Sequence, residues 1–262
     1  MPCRTYETPM RPPGSFLERG FSTFLPCGIP GLSLFEHTAP EIWASDDKTV
    51  NPWYWRFSFA YVDDLFYGKF ADGKLGFVRR DLFPLFAAVR RQGMTVEALL
   101  DTDLVSRDAA LLFRALPATA EWALPDFMDR MPPLETKLET LTNELQMRSL
   151  FFTSGFRYRT KKSTGEEYGW PFSLFARPDD EFDEPLEGLD PSEAIEELFA
   201  AVALPEHTDA DREKLRRMLQ GAPKKRRAAG NKSGEADGKA VSKTDKRFKK
   251  SDAPRLKIYQ ID

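Results

Sequence analysis

The sequence predicts an α+β fold: an aromatic-rich N-terminal α/β region, a helical stretch closed by a hairpin, and a disordered basic C-terminal tail. Three observations predict it. Aromatic and aliphatic residues fold back on themselves at Asp72-Gly73. Apolar residues recur at helical spacing between Arg107 and Met147, ahead of a second strand pair. Beyond Gly221 no hydrophobic period survives until Leu256 to Ile261.

The N-terminal region spans residues 16–101. Pro26, Pro30, Pro40 and Pro52 punctuate its early part and argue against long helices. The run from Leu65 to Val78 reads as a β-hairpin, because Asp72-Gly73 tolerates the positive φ angles of a tight turn. Arg80 to Arg91 reads as a short helix with Leu82, Leu85, Phe86 and Val89 on one face, and Pro84 suits its first turn.

The second region spans residues 103–177. Ser106 is a fitting N-cap for a helix from Arg107 to Leu116, which Pro117 ends. Thr119 to Met128 is the second helical candidate. Leu134 to Met147 is the third, with Leu134, Leu138, Leu141 and Leu145 forming one stripe. Strands from Ser149 to Tyr158 and Tyr168 to Ala176 follow, joined by a polar loop around Gly165. Three helices and then a hairpin is the element order of a winged helix-turn-helix. An acidic segment, 178–220, carries two further helices, Ser192–Val202 and Asp209–Leu219. Residues 221–262 are the tail.

The 262 residues are 41% hydrophobic and 13% aromatic, enough to build a core. Ala222 to Asp262 holds 13 basic and 5 acidic residues, leaving 25 basic and 36 acidic for the rest. An acidic body with a basic tail suits either a polyanion partner or a solvated linker. Lys224-Lys225-Arg226-Arg227 reads as an import signal or as a polyanion contact. Cys3 and Cys27 make no metal or disulfide pattern, which favours a reducing, cytoplasmic setting. No cofactor motif stands out, and neither a signal peptide nor a membrane span is expected.

In a winged helix the third helix enters the major groove and the hairpin loop touches the backbone. The expected DNA-contacting residues are therefore Lys137, Thr140, Asn143 and Arg148 on the helix, with Arg159, Lys161 and Lys162 in the loop. Between Arg130 and Lys162 seven basic residues stand against three acidic ones. Asn can read adenine and Arg guanine, while Lys and Thr suit phosphates. The alternative is a winged helix that binds protein, with these charges a solvated face. Trp53, Trp55 and Tyr67 are candidates for stacking on a base, or else members of an aromatic core. Tyr168-Gly169-Trp170 reads as a bulge or a close backbone approach.

Ile29-Pro30-Gly31-Leu32, Trp53-Tyr54-Trp55-Arg56, Tyr67-Gly68-Lys69-Phe70 and Gly76-Phe77-Val78 occur in that order, followed by Leu145-Gln146-Met147, Gly155-Phe156-Arg157-Tyr158 and Tyr168-Gly169-Trp170. The series resembles the bacterial AlkZ-related proteins, named for similarity to winged-helix DNA glycosylases of the AlkZ type. It covers residues 16 to 177. The resemblance implies a winged helix with an extra N-terminal region, a bacterial cytoplasm and a link to DNA repair. The glycosylases carry a Gln-hydrophobic-Gln or Gln-hydrophobic-Asp motif in their N-terminal half. Here Gln92 is the only Gln before Gln146, and Gly93-Met94 follows it. Gln260-Ile261-Asp262 matches formally, but at the end of the tail, and it is given no catalytic role.

Three functions follow for testing: a DNA-binding protein, a glycosylase acting on alkylated bases, and a protein-interaction module docking through the acidic segment 179–197.

Overall fold

The computed structural model describes residues 18–117 and 121–221; the basic tail and its Gln260-Ile261-Asp262 lie outside them. The fold is mixed α+β. Five strands form one antiparallel sheet in the order β1-β3-β2-β4-β5. They are β1 (Phe21–Thr23), β2 (Leu65–Ala71), β3 (Lys74–Arg79), β4 (Phe152–Thr160) and β5 (Glu167–Ala176).

The β2–β3 hairpin turns where expected. Asp72 and Gly73 have φ of 52° and 75°, and Ala71 pairs with Lys74 across them. Strand β2 then meets β4 at Tyr67 and Thr153. One sheet therefore joins strands drawn from both sides of residue 102.

Both faces of the central strands are covered. Phe66, Phe70 and Val78 point into one core, while Leu65, Tyr67 and Phe77 point into another. The period-2 alternation of a strand sends neighbours to opposite faces. With both faces buried, the strand reads as a continuous apolar run.

The first core is roofed by α2 (Phe83–Arg91), α6 (Pro191–Val202) and α7 (Asp209–Gln220), through Phe83, Phe86, Leu198 and Leu215. Two fully buried arginines on α2 tie this layer to the rest. Arg90 donates to the carbonyls of Leu219, Met218, Phe70 and Met147. Burial pulls its pKa down to about 9, the nearby Arg148 charge lowers it further, and Asp72 opposes the fall. Arg91 forms a bidentate pair with Asp179, both contacts at 2.7 Å, and also donates to the Ser149 carbonyl.

The opposite face is covered by α1 (Pro52–Phe59), whose Trp55 and Phe59 pack with Phe24 and Phe77. This helix was not apparent from the proline-punctuated sequence. Pro52 occupies its first turn, where no amide donor is needed, and the Asn51 side chain accepts from the Trp53 amide at 2.9 Å. Proline here starts a helix instead of breaking one.

A third core lies between α3 (Val96–Leu100), α4 (Arg107–Ala115) and α5 (Leu138–Met147). Ser106 caps α4 as expected, accepting from the Ala109 amide at 3.3 Å. Two expectations need correction. Among the described residues, the stretch expected as a helix from Thr119 to Met128 has no α-helix. Trp122 instead exchanges two backbone hydrogen bonds with Phe175 of β5, and 3₁₀ turns follow at Leu124–Asp126 and Met128–Arg130. Burial of Trp122 against Phe151 and Phe175 overrides the local propensity. The third helix also starts at Leu138, not Leu134. Asp108 accepts the amides of Glu135 and Thr136 at 3.0 and 2.8 Å, and this anchors that segment outside the helix.

Candidate nucleic-acid interface

Helix α5 is buried on two sides. Leu141 and Leu145 enter the third core, while Thr142 and Gln146 face β2. The Gln146 side-chain oxygen accepts the Lys69 amide at 3.0 Å. Gly68 permits this approach, since a β-carbon there would lie 2.8 Å from that oxygen.

What remains of the helix faces outward. Lys137 and Thr140 are exposed and Asn143 is half-buried. Glu144, on the same polar side, is drawn to α4 and accepts from the Ser106 amide and hydroxyl at 2.5 and 2.8 Å. Arg148 is drawn inward too. Its Nε donates to the Leu104 carbonyl at 3.0 Å, and burial lowers its pKa against the opposing pull of Glu144. Of the four helix residues proposed from sequence, Lys137, Thr140 and Asn143 stand outward, whereas Arg148 holds the α3–α4 loop.

The hairpin presents its cations differently. One terminal nitrogen of Arg157 donates to both carboxylate oxygens of Asp126, which ties β4 to the turn after Trp122. Arg159 lies over the Phe172 ring, 4.5 Å from its centroid. Lys161 pairs with Glu166 at 2.8 Å across the turn, and Lys162 is exposed beside it. Exposed pairs of this kind are worth about 0–1 kcal/mol and exchange readily for another anion.

A groove of about 530 Å³ separates α5 from β5. Asn143 and Gln146 line one wall and Phe172 and Phe175 the other. At its edge Lys69 Nζ lies 3.2 Å from Glu139, whose side chain is 81% exposed. Asn143 and Phe172 both line the groove, and Arg159 lies over the Phe172 ring without itself lining it. Nothing in the sequence spacing marks Lys69, Glu139 and Phe172 as neighbours. They meet only because β2 pairs with β4.

The stacking candidates separate by depth. Tyr67 is 2% exposed and stacks on Phe77 at 5.2 Å, where burial pushes its phenol pKa up. Trp55 is buried and its Nε1 donates to the Thr49 carbonyl. Trp53 is 38% exposed, with Arg56 5.0 Å from its ring centroid. Only Trp53 of the three has a substantially exposed ring.

Three carboxylates of the acidic segment are committed to internal ion pairs. Asp179 holds Arg91, Glu181 pairs with Arg80, and Glu196 pairs with Arg216. Among the described residues no group of three or more His, Cys, Asp or Glu side chains could hold a metal, and no helix is long and apolar enough to cross a membrane.

A family model described as AlkZ related matches residues 16–220. No curated protein and no solved structure matches the chain.

Proposed function

Because the chain belongs to the AlkZ-related family, we propose that it binds duplex DNA through α5 and the β4–β5 hairpin, in the manner of a winged helix. The reading is supported by packing, although the second of the three expected helices is replaced by the Trp122 bridge and 3₁₀ turns. Helix α4, the Trp122 bridge to β5, helix α5 and the β4–β5 hairpin form one unit around the third core. The observation that carries it is the outward set of Lys137, Thr140 and Asn143 on α5, beside a groove whose far wall supports Arg159. Lys161 and Lys162 extend the cationic edge along the turn. In this arrangement the lysines contact phosphates, and Asn143 supplies what base readout there is.

The proposal stops at binding. Glu139 is the carboxylate of the groove, and it is largely exposed and paired with Lys69. A general base for water attack needs an oriented and enclosed setting that this side chain does not have. Excision of a modified base is therefore the second reading. A repair-linked role is an extension of the family assignment. The tail, outside the described residues, adds non-specific attraction through its charge.

The direct experiment is a salt titration of binding to intact and alkylated duplex by the full-length chain. Binding that falls steeply with salt is expected, because phosphate contacts release counterions. Salt-insensitive binding, or none, overturns the proposal. Release of a modified base would move the reading from binder to enzyme.

A further inference from the structure

Arg56 has an unusual environment for a cation. It sits on α1 with its guanidinium carbon 5.0 Å from the Trp53 ring centroid, 4.7 Å from Phe57 and 5.2 Å from Trp170. No carboxylate among the described residues pairs with it. Its Nε is enclosed and has no hydrogen-bond partner. A buried donor without a partner costs about 1–3 kcal/mol, so such groups in native proteins call for an explanation. Arg91 and Arg177 also have an enclosed Nε without a partner, but their terminal nitrogens reach a carboxylate or backbone carbonyls; the contacts of the Arg56 guanidinium are aromatic rings.

Strand β5 is shaped to complete this environment. Arg157 pairs with Phe172 and Arg159 with Tyr168, so the single β4 residue between them, Tyr158, opposes three of β5. The surplus is a bulge at Gly169-Trp170-Pro171. Gly169 has a φ of 72°, which a residue with a β-carbon adopts at a cost. Bulges re-aim side chains. Here the bulge carries Trp170 across to Phe57 and Arg56, at 6.3 Å between rings. Yet Trp170 remains 57% exposed. Packing alone does not call for a tryptophan that leaves more than half its surface in water.

We propose that Trp53, Arg56 and Trp170 form a seat for one unpaired nucleotide of a DNA strand. The guanidinium lies among aromatic rings, and its terminal nitrogens, not the enclosed Nε, are the donors it offers a phosphate. The exposed ring of Trp170 offers a stacking platform for the base, which every nucleobase can use. The inference rests on the reading of α5 and the hairpin as the duplex-binding face. Trp170 belongs to that hairpin, and Pro171 and Phe172 line the groove beside it. A duplex held there brings an extrahelical nucleotide within reach of the seat. The seat reads the unpaired state, not the sequence.

The test uses the full-length chain and two duplexes, one fully paired and one with a single bulged 2-aminopurine nucleotide. Free 2-aminopurine deoxynucleoside monophosphate is the third ligand. The bulged duplex is expected to bind at least about tenfold more tightly, given the usual strength of base–aromatic stacking, with quenched bulge fluorescence. Trp170→Ala and Arg56→Gln should each bring that ratio of bulged to paired binding close to one. Trp170 is exposed, so its variant retains the fold and decides the matter even where Arg56→Gln does not fold. A wild-type ratio near one, with the paired duplex still bound, removes the seat and leaves the duplex-binding face intact. A ratio unchanged in Trp170→Ala also overturns it. Free monophosphate bound as tightly as the bulge overturns the assignment to a DNA strand. Binding of neither duplex overturns both readings.

Discussion

The Arg90 guanidinium occupies the space that a β-carbon on Gly221 would need. Gly221 ends α7 with a φ of 63°, and Arg90 reaches past it to the carbonyls of Met218 and Leu219. Helix α7 thus closes onto α2 through an arginine that takes carbonyls of its last turn, sharing the Met218 oxygen with the Gly221 amide. Gly221→Ala combines a left-handed φ, costing about 1–2 kcal/mol, with a collision against a buried side chain. Arg90→Met leaves four acceptors without their donor, at about 1–3 kcal/mol for each that stays dry. Both variants should lose more than about 2 kcal/mol in urea denaturation. Wild-type stability for Arg90→Met would show that this hub is dispensable.

Asp179 receives two nitrogens of the buried Arg91, whereas Asp126 receives one nitrogen of the half-exposed Arg157. Asp179→Asn strands a buried guanidinium, and since Asp179 is itself part-exposed, a loss of about 2–3 kcal/mol is expected. Asp126→Asn opens a surface pair and should cost less than about 1 kcal/mol. Equal losses would mean that burial does not set the strength of these pairs.

The cations of the proposed DNA face should separate from those that hold the fold. Lys161→Ala and Lys162→Ala should each lower the salt slope of DNA binding by about 1, with the urea midpoint unchanged. Arg148→Ala should do the reverse. Its Nε serves the Leu104 carbonyl, so stability falls while the slope stays. A salt slope that drops only for Arg148→Ala would place the contact surface elsewhere.

Asp108 gives a pH-dependent contribution. The Thr136 amide, foremost, and that of Glu135 hold its carboxyl below the usual range. Its folded pKa is depressed, so its stabilisation is present above the unfolded value and lost as pH falls through the folded one. The window therefore lies below about pH 4. Asp108→Asn should flatten that part of the acid limb in urea titrations. An acid limb identical to wild type would show that the loop before α5 is held by other means.

Removing residues 222–262 takes away 13 basic and 5 acidic side chains. Binding to every duplex should weaken by a similar factor, with the preference between intact and damaged DNA kept. A change in preference would give the tail a selective role that its composition does not predict.

Much of the local structure was legible because it depends on near neighbours. The β2–β3 turn follows from Asp72-Gly73, the start of α4 from Ser106, and the β4–β5 hairpin from two apolar runs around a polar loop. The short helix α1 was not, because Pro52 both breaks and begins helices, and only its burial against Phe24 and Phe77 selects the second role. Thr119 to Met128 has helical composition, but strand contact between Trp122 and Phe175 takes part of it. Arg148 looked like a contact residue by its place on the helix. Its fate was decided by a carbonyl 44 positions away.

By itself the sequence determined the α+β class, the family, the charge division and the extents of α4, α6, α7 and β5 to within a residue. Each depends on composition or on spacing along a few turns of chain. The tertiary structure decided which polar side chains remain available. It enclosed Tyr67 and Trp55, turned Arg148 and Glu144 inward, and joined Arg56 to Trp170, 114 residues apart, by a bulge in β5. The physical reason is that burial and pairing depend on long-range strand register, and a one-residue step in register sends a side chain to the other face of the sheet.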